Sequence, residues 1–192
     1  MAYHAIKSAV YNRGQPTDIF LDELILWGKT AEDAIFEPNE NVDIYSKYHS
    51  VLGPWNSLLH RKAVMLEVLR VLAGFESSWN WLEGRDVNNP EHSPLTTETG
   101  IFQVSANSMK FGDLEKRVEL HFGSADPQTF INGMKQDRYF AIEYAARLLR
   151  ITIEANGPIL NDDLTSPDDR YLHNGLRAEA VEEFIEWLSP PS

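Results

Sequence analysis

Residues 57–75 hold the stretch that most limits how this chain can fold. Ser57 is a good helix N-cap, and a long apolar run follows it. Leu58, Leu59, Val64, Leu66, Val68, Leu69 and Leu72 recur along it, and after Ala63 the segment is apolar nearly all round. A helix with no polar face must be covered on every side, so it is expected at the centre of the molecule with other helices packed about it. A chain of 192 residues is long enough to supply that cover as one domain.

The remaining pattern supplies the partners. Pro16-Thr17-Asp18 can open a helix over about 18–36, with Ile19, Phe20, Leu24, Trp27 and Ala31 at helical spacing. Residues 1–15 read as an irregular lead-in. Residues 37–56, with Pro38, Gly53 and Pro54, read as loop or short turns, and 1–55 is expected to form a helical extension ahead of the main body. Short amphipathic pieces are expected near 105–110 and 113–122, and another opens at Asp126-Pro127. A strong helix is expected over 135–155, through Phe140, Ala141, Tyr144, Leu148 and Ile151, ending at Asn156-Gly157-Pro158. The last helix spans about 175–188 and buries Val181, Phe184, Ile185 and Leu188. Glu179, Glu182, Glu183 and Glu186 lie opposite and read as a solvated stripe. The fold class is α+β and mostly α, the one β element being a small hairpin over 95–105 with Gly100 at its bend.

Bulk properties narrow the function. The net charge is −12, which opposes an encounter with nucleic acid or an anionic membrane. No apolar run approaches the ~20 residues of a membrane span. Cysteine is absent, which excludes a thiol nucleophile and a disulfide framework. The six histidines form no paired metal-binding spacing, no phosphate-binding glycine loop is present, and Ser105 lacks the Gly-x-Ser-x-Gly context of a nucleophile. Neither a metal nor a cofactor is expected.

The central helix ends in Phe75-Glu76-Ser77-Ser78-Trp79. A carboxyl there has an apolar flank and the negative end of the helix dipole beside it, and both raise its pKa. Phe75, Trp79 and Trp81 can exclude water from it. A glutamate at a helix end is most often solvated, but here a polar loop leads on to Glu98-Thr99-Gly100-Ile101-Phe102-Gln103-Val104. Glu83, Asp86, Glu91 and Glu98 all fall between or beside these segments. Glu83 and Glu91 read as solvated, and Asp86 and Glu98 as the candidates for a second carboxylate. Trp79, Trp81, Phe102 and Tyr144 can offer flat faces to sugars, at most half of them lining a groove.

Phe75-Glu76-Ser77-Ser78 followed by Thr99-Gly100-Ile101-Phe102-Gln103-Val104 resembles the lysozyme-like superfamily, particularly lytic transglycosylases and goose-type lysozymes. The resemblance covers roughly residues 60–110. It implies that Glu76 is the catalytic acid in cleavage of β-1,4 glycan strands of peptidoglycan, and that Ser77, Gly100, Phe102 and Gln103 contact the glycan. Trp79 and Tyr144 join them as expected sugar-binding residues. The gap from Glu76 to Gly100 is longer than in typical transglycosylases, and Glu98 before Thr99-Gly100 is more like chitinases of the same superfamily. Two mechanisms therefore stand open: a lone acid with intramolecular attack, or Glu76 with Asp86 or Glu98 and a water. The latter inverts the product if the carboxyls stand about 6.5–9.5 Å apart. A chitinase or chitosanase, the latter suited to the negative charge, and a non-catalytic interaction domain are the alternatives. The segment Met1–Lys7 has no apolar signal-peptide stretch. The chain also resembles muramidase domains of secreted bacterial toxins and of phages. That implies action in the periplasm or at the cell wall after delivery by a secretion system, a phage or a longer parent chain, with an immunity or delivery protein as partner.

Overall fold

The computed structural model describes residues 2–53, 55–84, 93–151 and 175–190. The apolar run forms the longest helix, α3 (Leu58–Ser77), capped where Ser57 Oγ accepts the His60 N–H at 3.1 Å. Around it stand α1 (Asp18–Thr30), α2 (Ile44–Leu52), α4 (Leu114–Phe122), α5 (Pro127–Gln136), α6 (Arg138–Ile151) and α7 (Ala178–Leu188). Helix α3 packs on α1, α6 and most extensively on α7. Its residues from Ala63 to Gly74 are all buried, as a helix without a polar face requires.

Several elements depart from the sequence expectations. Helix α1 stops at Thr30 and gives way to a 3₁₀ turn at Asp33–Ile35, and Ile19 faces solvent rather than the core. Residues 44–52 are helical, not loop, because the Asp43 carboxylate caps the Tyr45 and Ser46 N–H groups at 3.0 and 3.3 Å. The helix expected over 135–155 begins only at Arg138. Asp137 closes α5 with its own N–H on the Gly133 carbonyl, and its carboxylate accepts the Phe140 N–H at 2.9 Å to start α6. The stop expected at Asn156–Pro158 lies outside the described residues.

The expected hairpin is the main correction to the α+β class. Among the described residues there is no strand, only a single antiparallel bridge between Thr99 and Val104, so the described chain is helical. The flanks cannot extend the pairing. Upstream, Thr96 and Thr97 fold back onto Ser93, and downstream the 3₁₀ helix Ala106–Lys110 begins at once.

Two polar ties hold the ends of the chain to this bundle. Glu67 and Arg70, both fully buried on α3, form a two-point ion pair at 2.6 and 2.8 Å. Arg70 also donates to the Ser8 and Gly175 carbonyls, and Glu67 accepts the Arg177 N–H at 2.9 Å. The pair is thereby surrounded by hydrogen-bond partners, which a buried pair needs. The second tie corrects the acidic stripe of α7. Glu183 is buried, and its carboxylate accepts the backbone N–H groups of His4 and Ile6 at 2.9 and 3.0 Å. Burial alone would raise its pKa, but these N–H groups outweigh burial and hold it below the ordinary carboxylate value. The N-terminal lead-in is thus fastened to both α3 and α7.

Candidate active site

Glu76 stands one residue before the end of α3, where the chain turns sharply. Ser78 (φ 51°) and Trp79 (φ 61°) are both left-handed, and Gln103 (φ 44°) is the third such residue. Among the described residues these are the three non-glycine positions with positive φ, and all three belong to the two segments singled out by sequence. Left-handed backbone at residues with side chains is strained, and such strain gathers at functional sites. The turn is held by the Ser78 N–H on the Gly74 carbonyl (3.0 Å) and the Trp79 N–H on the Ala73 carbonyl (3.1 Å).

The second segment closes against this helix end. Ser77 Oγ donates to the Ile101 carbonyl at 2.8 Å and accepts the Asn80 N–H at 3.1 Å. The Gly100 N–H donates to the Glu83 carbonyl at 3.0 Å. Gly100 has φ +71°, and a Cβ there would lie 2.9 Å from the Met134 carbonyl oxygen, so α5 backs the turn directly. Gln103 folds its amide inward, Nε2 donating to the Gly100 carbonyl at 2.8 Å. The result is a turn over 99–104 clamped onto the end of α3.

Within this frame Glu76 is mostly buried, and its pKa is raised to about 7. Burial is the largest cause, the negative charge of Glu98 adds to it, and the positive charge of Arg13 opposes it. The fold therefore brings Glu98 into electrostatic reach of Glu76 across the turn. It also brings in Arg13, at the end of a 3₁₀ turn (Tyr11–Arg13) in the lead-in. Nothing local in the sequence marks Arg13. Its place depends on the ties to Glu67–Arg70 and Glu183, which join residues more than sixty positions apart. Asp86 and Glu91 lie outside the described residues.

The remaining expected contacts divide differently. Trp79, Phe102 and Tyr144 are exposed by only 4%, 3% and 1%, so their rings are faced by protein and are not surfaces for sugars. Trp79 covers α3 at Gly74, where a Cβ would sit 2.7 Å from its ring, and its Nε1 donates to the Arg70 carbonyl at 3.0 Å. The Tyr144 hydroxyl is bonded to Ser108 Oγ at 2.7 Å, and that oxygen donates to the Ser105 carbonyl. Trp81 is buried against Phe20 and carries the Arg138 guanidinium on its face. Ser77 is buried and acts as a clamp between helix and turn. Of these, Ser77 and Trp79 support the end of α3 from within the core. Glu76, Glu98 and Gln103 are the members that keep solvent access, whereas the Gly100 backbone is buried with its N–H and carbonyl both bonded.

Among the described residues no three His, Asp or Glu side chains are placed to hold a metal ion, and no helix is long and apolar enough to cross a membrane. No protein-family model, curated protein or solved structure matches the chain.

Proposed function

We propose that this chain is a lysozyme-like glycosidase that cleaves β-1,4 glycan strands of peptidoglycan, with Glu76 as general acid. One observation carries the proposal: Glu76, at a buried helix end facing a strained turn, has a carboxyl pKa lifted to about 7. A glycosidic oxygen is a poor leaving group and needs a proton as the bond breaks. An acid with a pKa near 7 is about half protonated at neutral pH and gives the proton up readily, whereas an ordinary glutamate is ionised there.

The second group in this scheme is Glu98. Its negative charge favours the protonated form of Glu76 before the reaction and stabilises the oxocarbenium-like transition state during it. Glu98 either activates a water or, if the substrate's own hydroxyl attacks, serves only as the stabiliser. Gln103 spends its amide nitrogen on the turn, which leaves the amide oxygen to accept a hydrogen bond from a sugar hydroxyl. The proposed place of action is the cell wall, reached through a secretion system, a phage or a longer parent protein.

The chain's charge of −12 favours a second substrate class, the cationic polymer chitosan. Clearance of purified peptidoglycan and release of reducing ends from chitosan, each with wild type and Glu76→Gln, test both. Peptidoglycan clearance that Glu76→Gln abolishes supports the proposal. Activity on chitosan alone moves the substrate, and activity on neither polymer refutes the glycosidase assignment.

A further inference from the structure

The far end of α3 holds a buried cation, Arg61, that makes no ion pair among the described residues, although the Asp43 charge acts on it. Arg61 stands roughly 22 Å from Glu76 along the helix and is only 7% exposed. Its Nε donates to the Phe36 carbonyl and its Nη2 to the Glu37 carbonyl, and its guanidinium lies 3.8 Å over the Tyr45 ring. Arg150 shares the same ring at 4.8 Å. Asp43 is the carboxylate among them, and both its oxygens already accept hydrogen bonds. One oxygen takes Arg150 Nε at 2.6 Å, and the other takes the Tyr45 and Ser46 N–H groups. Arg150 is completed by the Ile35 and Glu37 carbonyls.

Two guanidiniums therefore stand beside one carboxylate, which is paired with Arg150, inside a chain whose total charge is −12. Buried charges are ordinarily paired, because an unpaired ion loses its hydration with nothing to replace it. Among the described residues no carboxylate forms an ion pair with Arg61, and its Nη1 makes no hydrogen bond. The same arginine lines a pocket of about 450 Å³ together with Asn39, Asn41, Ser46, Tyr45 and Trp55, and the Arg150-paired Asp43 also lies in its wall. That is the size of a small-molecule site. Its wall supplies an aromatic edge from Trp55, which packs at 5.4 Å on Tyr45, and short polar side chains beside the cation.

We infer that this pocket binds a small molecule bearing a carboxylate or phosphate group, held by Arg61 through its unused nitrogen and flanked by Trp55. The site is separate from Glu76 and does not rest on the glycosidase assignment. An oxyanion there completes the charge balance around Tyr45, and Asn39 and Ser46 have side chains short enough to leave it room.

The test uses the full ¹⁵N-labelled chain, titrated separately with inorganic phosphate and with acetate at an ionic strength held constant with sodium chloride. The Trp55 indole N–H, assigned by its loss in Trp55→Phe, is the reporter. The expected result is a saturable shift with at least one of the two anions, and the tighter one identifies the group recognised. Arg61→Lys, which keeps the charge but loses the planar fork, and Ser46→Glu, which brings a carboxylate to the pocket wall, should each weaken that binding at least tenfold. The four other indole signals report that each variant is folded. No saturable shift with either anion overturns the inference, as does undiminished affinity in both variants.

Discussion

Glu76 sits between two charges of opposite sign, and its protonation is set by which is removed. Glu98 raises its pKa and Arg13 lowers it, while burial remains the largest influence. Glu98→Gln should therefore lower the Glu76 pKa from about 7, and Arg13→Gln should raise it, each by up to about one pH unit. Titration of the Glu76 side-chain carbon by ¹³C NMR reads both changes without requiring turnover. The same shift is a stability statement. A carboxyl with a folded pKa of about 7, against an ordinary value of 4.5, favours folding less and less as pH rises from 4.5 to 7. Glu76→Gln removes that titration. The variant should match wild type near pH 4 and be more stable by about 1–3 kcal/mol at pH 8, as read by urea unfolding at both pH values. A residue kept at such an expense to stability is typical of a working site.

At the scale of elements, the end of α3 and the turn over 99–104 act as one unit. The Ser77 clamp, the Gly100 N–H on Glu83 and the backing of Met134 hold them together. Gly100→Ala forces a Cβ into a left-handed position 2.9 Å from a carbonyl oxygen, so it should destabilise the chain by about 1–3 kcal/mol in urea unfolding. It should also lower the Glu76 pKa, because a displaced turn admits water. The central helix is legible in the sequence because its Ser57 cap and continuous apolar run leave no other place for it. Helix α2 is not, because its nine residues lie between proline and glycine and its cap, Asp43, looks like any loop aspartate. The hairpin fails for the opposite reason. Gly100 does mark a bend, but the chain beyond it winds into a 3₁₀ helix at Ala106, a backbone choice that β-propensity at 101–104 does not foretell.

At the scale of the molecule, the lead-in, the central helix and the last helix are locked together by two buried carboxylates. Glu67 reaches Arg70 and the Arg177 N–H, and Glu183 reaches the backbone at His4 and Ile6. The spacing of Glu183 reads as solvated, since its partners are N–H groups nearly the whole chain length away. Glu67→Gln leaves Arg70 buried without a counter-ion and should destabilise the fold by about 3–5 kcal/mol, measured by urea unfolding. By loosening Ser8 it should also withdraw Arg13 and raise the Glu76 pKa, linking the packing of the termini to the site. The proposed activity rests on Glu76 delivering a proton to a glycan. Mass spectrometry of peptidoglycan digested with wild type and with folded Glu76→Gln tests this most directly. The expected result is soluble muropeptides from wild type and none from the variant. Hydrated ends would mark Glu98 or another base acting through water, and ends lighter by one water would mark intramolecular attack. Intact glycan strands after wild-type treatment, or equal release by Glu76→Gln, would contradict the assignment of Glu76 as the acid.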